Sequence, residues 1–206
     1  MPPEFLALSL IILLFSVIVH EVMHGLAALR YGDETALRMG RLTLNPLPHI
    51  DPVGTILFPA LLILTGSPIL FGWAKPVPVN PLNFSNLRRG ELVVSSAGIL
   101  ANFGLACIAA VLFHILNVMP QIPTLLLQLL RYSVTINLIL GVFNLFPIPP
   151  LDGSKVLLSQ LPYNLAKGYA KLETYGFIIL LLLLITGLPQ LILGLVVGIL
   201  SSILGF

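Results

Sequence analysis

Apolar positions in this chain fall into long blocks, and polar ones gather between them. Residues 4–30 make the first block. As a helix rising 1.5 Å per residue it would reach about 40 Å, more than the roughly 30 Å of bilayer hydrocarbon. Tyr31-Gly32-Asp33 then supplies a turn signal. Residues 91–118 and 122–146 read as two further long helices, and Pro147-Ile148-Pro149-Pro150 stops the second, because proline lacks an N–H and fixes φ. A short helix is expected from about residue 154, and residues 172–187 and 189–205 read as a helical hairpin around Gly187-Leu188-Pro189. Residues 37–46 alternate apolar and polar for part of their length, the period of a short half-buried strand or hairpin. Residues 53–66 are apolar but only 14 long, short of the roughly 20 residues of a typical span, so both a crossing and a re-entrant course stay open. Residues 67–90, rich in Pro, Asn and Gly, read as a loop, with Trp73 as an interface anchor.

These elements predict an all-α polytopic membrane protein: a helical bundle with a short β-hairpin or strand and a re-entrant segment at 53–66. A single domain is expected over residues 1–206, with a motif-bearing core at about 4–158 and a C-terminal hairpin at about 172–205. Composition agrees. The chain is 57% hydrophobic and 9% charged, against about 25% charged in soluble domains, and its mean hydropathy is +1.04. The net charge of +2 comes with no basic patch interleaved with aromatics, so no nucleic-acid partner is expected. Cys107 is the only cysteine. It excludes an internal disulfide and a cysteine-rich zinc site, and reads as a core residue. The first block lacks a basic flank and a small-residue cleavage site, and reads as a retained span rather than a signal peptide. If 53–66 returns to its own side, nine of the ten basic residues, all but Arg131, fall on one side with Asp152, His20 and His24. The positive-inside rule makes that side cytoplasmic.

The candidate chemistry sits inside the first block. His20-Glu21-Val22-Met23-His24 matches H-E-x-x-H. On a helix, residues i and i+4 share a face, so both imidazoles can reach one zinc ion, and Glu21 stands where it can take a proton from water. Charged groups at mid-membrane cost roughly 2.5–3.5 kcal/mol each on translocon scales, so polar residues there usually carry function. A catalytic zinc commonly takes three protein ligands. Among the other acids and histidines, Asp152 is the best third candidate: it follows a long apolar block in a proline-rich turn, and Gly153 permits close backbone approach.

The pair His20-Glu21-x-x-His24 and Asn144-Leu145-Phe146-Pro147-Ile148-Pro149-Pro150-Leu151-Asp152-Gly153 resembles the site-2 protease family of intramembrane zinc metalloproteases, here in a minimal form without a PDZ or CBS domain. The resemblance extends to Gly98-x-x-x-Asn102, to His49-x-Asp51-Pro52-x-Gly54-Thr55, and to Phe71-Gly72-Trp73-Ala74-Lys75-Pro76-Val77-Pro78-Val79-Asn80-Pro81. It covers most of residues 15–155.

That resemblance implies one Zn²⁺ held by His20, His24 and Asp152, with Glu21 as general base and then acid. It implies that Asn102 and Asn144 contact the substrate backbone or the developing oxyanion. His49 and Asp51 match the pattern as loop or supporting residues, and Lys75 lies in a proline-rich loop suited to gating. The implied reaction is hydrolysis of a peptide bond in or near a transmembrane segment of a membrane-anchored substrate, in a prokaryotic plasma membrane, with the site nearer the cytoplasm. Residues 41–46 offer an edge to which an unwound substrate could add as a strand. Two other readings stand beside this one. One is a non-catalytic metal transporter or channel. The other is a membrane zincin of the prenyl-protein protease type, with Glu173 as third ligand.

Overall fold

A computed structural model describes residues 2–66 and 72–206. Helix α1 (Pro3–Arg30) carries a proline in its first turn, where its missing N–H would be unpaired in any case. A single turn, α2 (Thr35–Arg38), follows, and then a π-helical turn at Pro52–Leu57 runs into α3 (Phe58–Leu64). Helix α4 (Leu87–Asn117) starts earlier than the apolar block suggests, because Asn86 caps it by accepting from the Arg89 N–H. Then come α5 (Thr124–Asn144), α6 (Asp152–Gln160) and α7 (Tyr163–Ala170). A 3₁₀ turn at Lys171–Tyr175 leads to α8 (Gly176–Thr186) and α9 (Leu188–Ile203).

Among the described residues, four helical runs are long and apolar enough to cross a membrane: Pro3–Arg30, Leu87–Asn117, Thr124–Asn144 and Tyr163–Thr186. The protein is an all-α, multi-pass integral membrane protein. Its contacts use small residues, as helix packing in lipid does. Ala106, Ala109 and Ala110 of α4 meet Val134, Leu138 and Val142 of α5 and Val197 of α9. Ala27 and Ala28 of α1 meet Val94 and Ala97 of α4, with Phe84 alongside. Large apolar side chains such as Ile11, Phe15, Leu100 and Ile108 lie exposed on the outside, which suits a lipid solvent. Cys107 is among the exposed residues rather than in the core, since the alanines take the packed face of α4.

No strand forms among the described residues, and 37–46 corrects the sequence reading. Gly40 has φ +64°, and the chain turns there: Gly40 N–H donates to Leu37 O and Arg41 N–H to Ala36 O. Local bonds then take backbone groups that a ladder would use. Asn45 N–H donates to the Thr43 hydroxyl, Leu47 N–H to Asn45 Oδ1, and His49 Nε2 to Thr43 O. Burial is also inverted, with Arg41 buried and Leu37, Met39 and Leu44 exposed. Arg38 and Asn45 are exposed as well, so the alternation does not sort two faces, and no strand forms at 41–46.

The apolar segment after Asp51 enters and leaves at one level. Trp73 N–H donates to Gly54 O at 3.1 Å, and the Thr55 hydroxyl donates to Trp73 O at 2.8 Å. A Cβ on Gly54 would fall 2.2 Å from the Trp73 ring, so the two arms touch at their base. Phe71, in the motif quoted above, lies outside the described residues.

The following stretch, residues 75–80, crosses as a strap anchored to two buried charges. The Arg41 guanidinium donates to Lys75 O at 2.8 Å and Pro76 O at 3.2 Å. Asp33, fully buried, accepts from Asn80 N–H at 2.7 Å and from the Asn83 amide at 2.8 Å. At one end of the bundle Arg88 donates to the carbonyls of Ser159 and Gln160. At the other, Arg131 lies over the Phe113 and Phe206 rings, and His114 meets Leu204 O.

Burial pushes the Asp33 carboxyl up, but bonds from the Thr35 hydroxyl, Asn80 N–H and Asn83 outweigh it and hold its pKa below the ordinary value. A depressed folded pKa stabilises fully above the unfolded value, about 3.9, and is lost as pH falls through the folded one. Asp33→Asn should cost about 1–3 kcal/mol at neutral pH, as buried donors lose a charged acceptor. Melting of the purified protein should then fall less steeply below about pH 4 than in the wild type.

Candidate metal centre

Helix α1 sets two imidazoles one turn apart on its buried face, His20 and His24, 7% and 8% exposed. Their rings stand nearly perpendicular, 4.6 Å between centroids. Asp152 is the first residue of α6, so its carboxylate projects from a helix N-terminus, where negative charge is favoured. It caps nothing there, since Leu151 is the N-cap. Gly153 makes the approach possible, because a Cβ would fall 2.2 Å from Leu145 O. Asp152 Oδ2 lies 3.1 Å from both His20 Nε2 and His24 Nε2, and the two Nε2 atoms are 3.0 Å apart. These three residues are the one group of potential metal ligands found together among the described residues.

Their hydrogen bonds decide what the trio can hold. His24 Nδ1 lies 2.7 Å from Val94 O. A carbonyl only accepts, so Nδ1 carries the proton and Nε2 presents a lone pair. His20 Nδ1 lies 2.7 Å from Asn102 Oδ1 in the same sense. Asp152 Oδ2 is buried and finds no hydrogen-bond donor. With both imidazoles neutral, three electron pairs face one point, an arrangement that a divalent cation satisfies. Tetrahedral zinc with bonds of about 2.0–2.1 Å would set its ligands roughly 3.3 Å apart, close to the spacing seen. Two imidazoles and a carboxylate also form a familiar three-ligand set for catalytic zinc.

Space for the ion depends on Gly98. A Cβ there would fall 2.5 Å from His24 Nε2 and 2.7 Å from His20 Nε2. Glu21 points elsewhere on the helix, to the strap: its Oε2 accepts from Val77 N–H at 2.7 Å. Pro76 and Pro78 flank Val77, so it is the only backbone donor between them.

The remaining residues from the sequence reading fall into place around this centre. Asn102 is fully buried behind His20. Asn144 closes α5, half-buried, with its amide donating to Leu140 O at 3.0 Å. His49, fully buried, donates from Nε2 to Thr43 O, and its carbonyl accepts from Lys75 N–H. Asp51 caps the π-helical turn through Val53 and Gly54 N–H. Glu173 lines a small cavity with Pro149, Lys155 and Tyr169, apart from the ligand trio. Residues the sequence reading passed over also serve the site: Ser16, Asn137, Arg41 and Asp33. A signal existed for two of them, since Ser16 lies one turn before His20 and Asn137 sits in mid-span, where polar side chains are rare.

A Bacillus subtilis protein named "Putative zinc metalloprotease YwhC" is 38% identical to this chain over 197 residues, spanning 93% of the chain and 86% of that protein. The chain belongs to peptidase family M50. Residues 121–186, which include the Asp152 motif but not the histidine pair, match the profile described as Peptidase family M50. A Mycolicibacterium smegmatis relative, "Putative zinc metalloprotease Rip2", is 30% identical over 173 residues; the match spans 84% of this chain and 64% of that protein. "Putative zinc metalloprotease MJ0611" of Methanocaldococcus jannaschii is 31% identical over 160 residues, spanning 75% of this chain and 73% of that protein. No solved structure gives a significant match. As an M50 member the chain is a site-2-type metalloendopeptidase whose cofactor is zinc.

Gly98→Ala should crowd both Nε2 atoms. Overpacking of about 1–3 kcal/mol corresponds to zinc held about 5- to 100-fold less tightly. Chelator competition on the purified protein measures it.

Proposed function

We propose that this M50 peptidase hydrolyses a peptide bond in or near a transmembrane segment of a membrane-anchored substrate. His20, His24 and Asp152 hold the zinc, and Glu21 moves the proton. The observation that carries this reading is the meeting of three potential ligand atoms, 3.0–3.1 Å apart, inside a bundle of apolar helices. Zinc, when bound, supplies a Lewis acid that makes water nucleophilic near neutral pH.

The chain's own residues do the rest. Glu21 shares its helix turn with the ligands, and its Oε2 is held by Val77 N–H, which leaves Oε1 to accept the proton of the attacking water. The same carboxyl returns that proton to the leaving amine nitrogen, so no proton is gained or lost over the cycle. Asn102 orients His20 rather than meeting substrate. Asn144, half-buried at the end of α5, is assigned to the substrate backbone. His49, Asp51 and Lys75 hold the strap and the base of the re-entrant segment, and so govern access. Zn²⁺ with ionised Asp152 and Glu21 sums to zero formal charge, which keeps a buried polar site tolerable.

A peptide bond inside a helix is shielded by its own hydrogen bonds, so the substrate must unwind locally before attack. The number of basic residues assigned to the side of the candidate ligands supports a site on the cytoplasmic side of a prokaryotic plasma membrane. Residues 1–206 act as one protease domain.

Glu21→Gln separates binding from chemistry. It should retain zinc while cleavage of a reporter with a single transmembrane segment falls by about 10²–10⁴. His24→Ala and Asp152→Ala should instead lose zinc, read by metal analysis of the purified proteins. Unchanged cleavage by Glu21→Gln would remove Glu21 as the base.

A further inference from the structure

Behind His20 the polar side chains form a chain of bonds whose direction is fixed at its far end. Ser16, Asn102 and Asn137 are 1%, 0% and 0% exposed, on α1, α4 and α5. Asn137 Nδ2 lies 2.9 Å from Ser133 O and 2.9 Å from Ser16 Oγ. Ser133 O is a peptide carbonyl and only accepts. Ser16 has one hydroxyl hydrogen, given to Ile12 O at 2.8 Å, so its oxygen also accepts from Asn137. Both contacts require the Asn137 NH₂ group on that side, and its Oδ1 therefore faces Asn102. Asn102 Nδ2 donates to it at 3.0 Å. Asn102 Oδ1 is then left to face His20 Nδ1 at 2.7 Å, and His20 must carry its proton there.

We propose that Asn137 is a positioning residue for the metal centre: through Asn102 it fixes His20 in the Nδ1–H tautomer and keeps the Nε2 lone pair free for zinc. The inference rests on His20 being a ligand. Two carbonyls, Ile12 O and Ser133 O, set the polarity, and each asparagine passes it on. Without Asn137, only a long 3.5 Å contact from Asn102 Nδ2 to Ser16 O holds the amide, and turning it over would offer its NH₂ to His20 Nδ1 and move the imidazole proton to Nε2. That tautomer has no electron pair for the metal. Groups that orient a ligating histidine typically change metal affinity 10- to 100-fold when altered.

The test uses the full chain in detergent. Asn137→Leu removes the amide at similar volume, and zinc affinity by chelator competition should fall about 10- to 100-fold. Adding Asn102→Asp to that variant should restore much of the loss. A carboxylate has only acceptor oxygens, so it enforces Nδ1–H without help from Asn137. A packing role for Asn137 predicts the opposite, because the second change then only buries a charge. The Co²⁺-substituted proteins give a second readout, with visible bands altered in Asn137→Leu and recovered in the double variant. In the metal-free wild type at alkaline pH, ¹⁵N shifts should show His20 protonated at Nδ1. This last measurement stands even if Asn137→Leu fails to fold.

Wild-type zinc affinity in Asn137→Leu, failure of the double variant to recover, or an Nε2–H tautomer would each overturn the proposal. Loss of zinc in His24→Ala and Asp152→Ala beside any of these results would leave the ligand reading intact. Zinc retained in those two variants would instead remove the ligand reading itself.

Discussion

Three electron pairs aimed at one point repel unless a cation lies among them, and the interior of this bundle is arranged around that fact. His20 Nε2, His24 Nε2 and Asp152 Oδ2 come within 3.1 Å of one another. In a low-dielectric interior such groups would otherwise protonate or move apart. They stay because each is held from behind. Val94 O fixes one imidazole and Asn102 the other. Asp152 is fixed by its place at the start of α6, seated by Gly153 against the turn that ends α5. Gly98 leaves the opening on the fourth side. Four helices thus converge on one ion-sized gap, and the small residues between α1 and α4 are what let them come that close.

The second constraint is the backbone of the strap. Irregular chain at membrane depth is tolerated only where its polar groups find partners. Here prolines at 76, 78 and 81 remove donors, and three of the remaining N–H groups each have an acceptor: Lys75 on His49 O, Val77 on Glu21, Asn80 on Asp33. The carbonyls of 75 and 76 go to Arg41. The strap is therefore held by the carboxylate of Glu21, the residue proposed above as the base.

This sharing suits a hydrolase working in lipid. On the proposed function, water and an unwound peptide must reach a place where neither is stable alone. A neutral cluster of ion and carboxylates lowers the cost of burial, and a proline-rich cover limits how many donors compete for the substrate's carbonyls. The large apolar side chains left exposed around the bundle are consistent with an enzyme whose substrates arrive laterally through the same solvent.

Much of the design was readable from residues alone. The spacing of His20 and His24 is a helical turn, and that turn lies in an apolar block, so their shared face followed from geometry. The Pro-Pro break and Gly153 marked where a third ligand could approach. The strand at 37–46 does not form because the turn at Gly40 and the local bonds of Thr43 and Asn45 take the backbone groups that a ladder needs, and alternation alone does not reveal them. The partners of Asn137, Ser16 and Asp33 were not legible, since they lie 35 to 121 positions away. The sequence by itself determined the ligand types, the spans and the reaction class, because these depend on local spacing and side-chain chemistry. Only the tertiary structure decided which nitrogen of each imidazole is free, what supports the strap, and how closely the ligands meet, because those depend on bonds and contacts between helices.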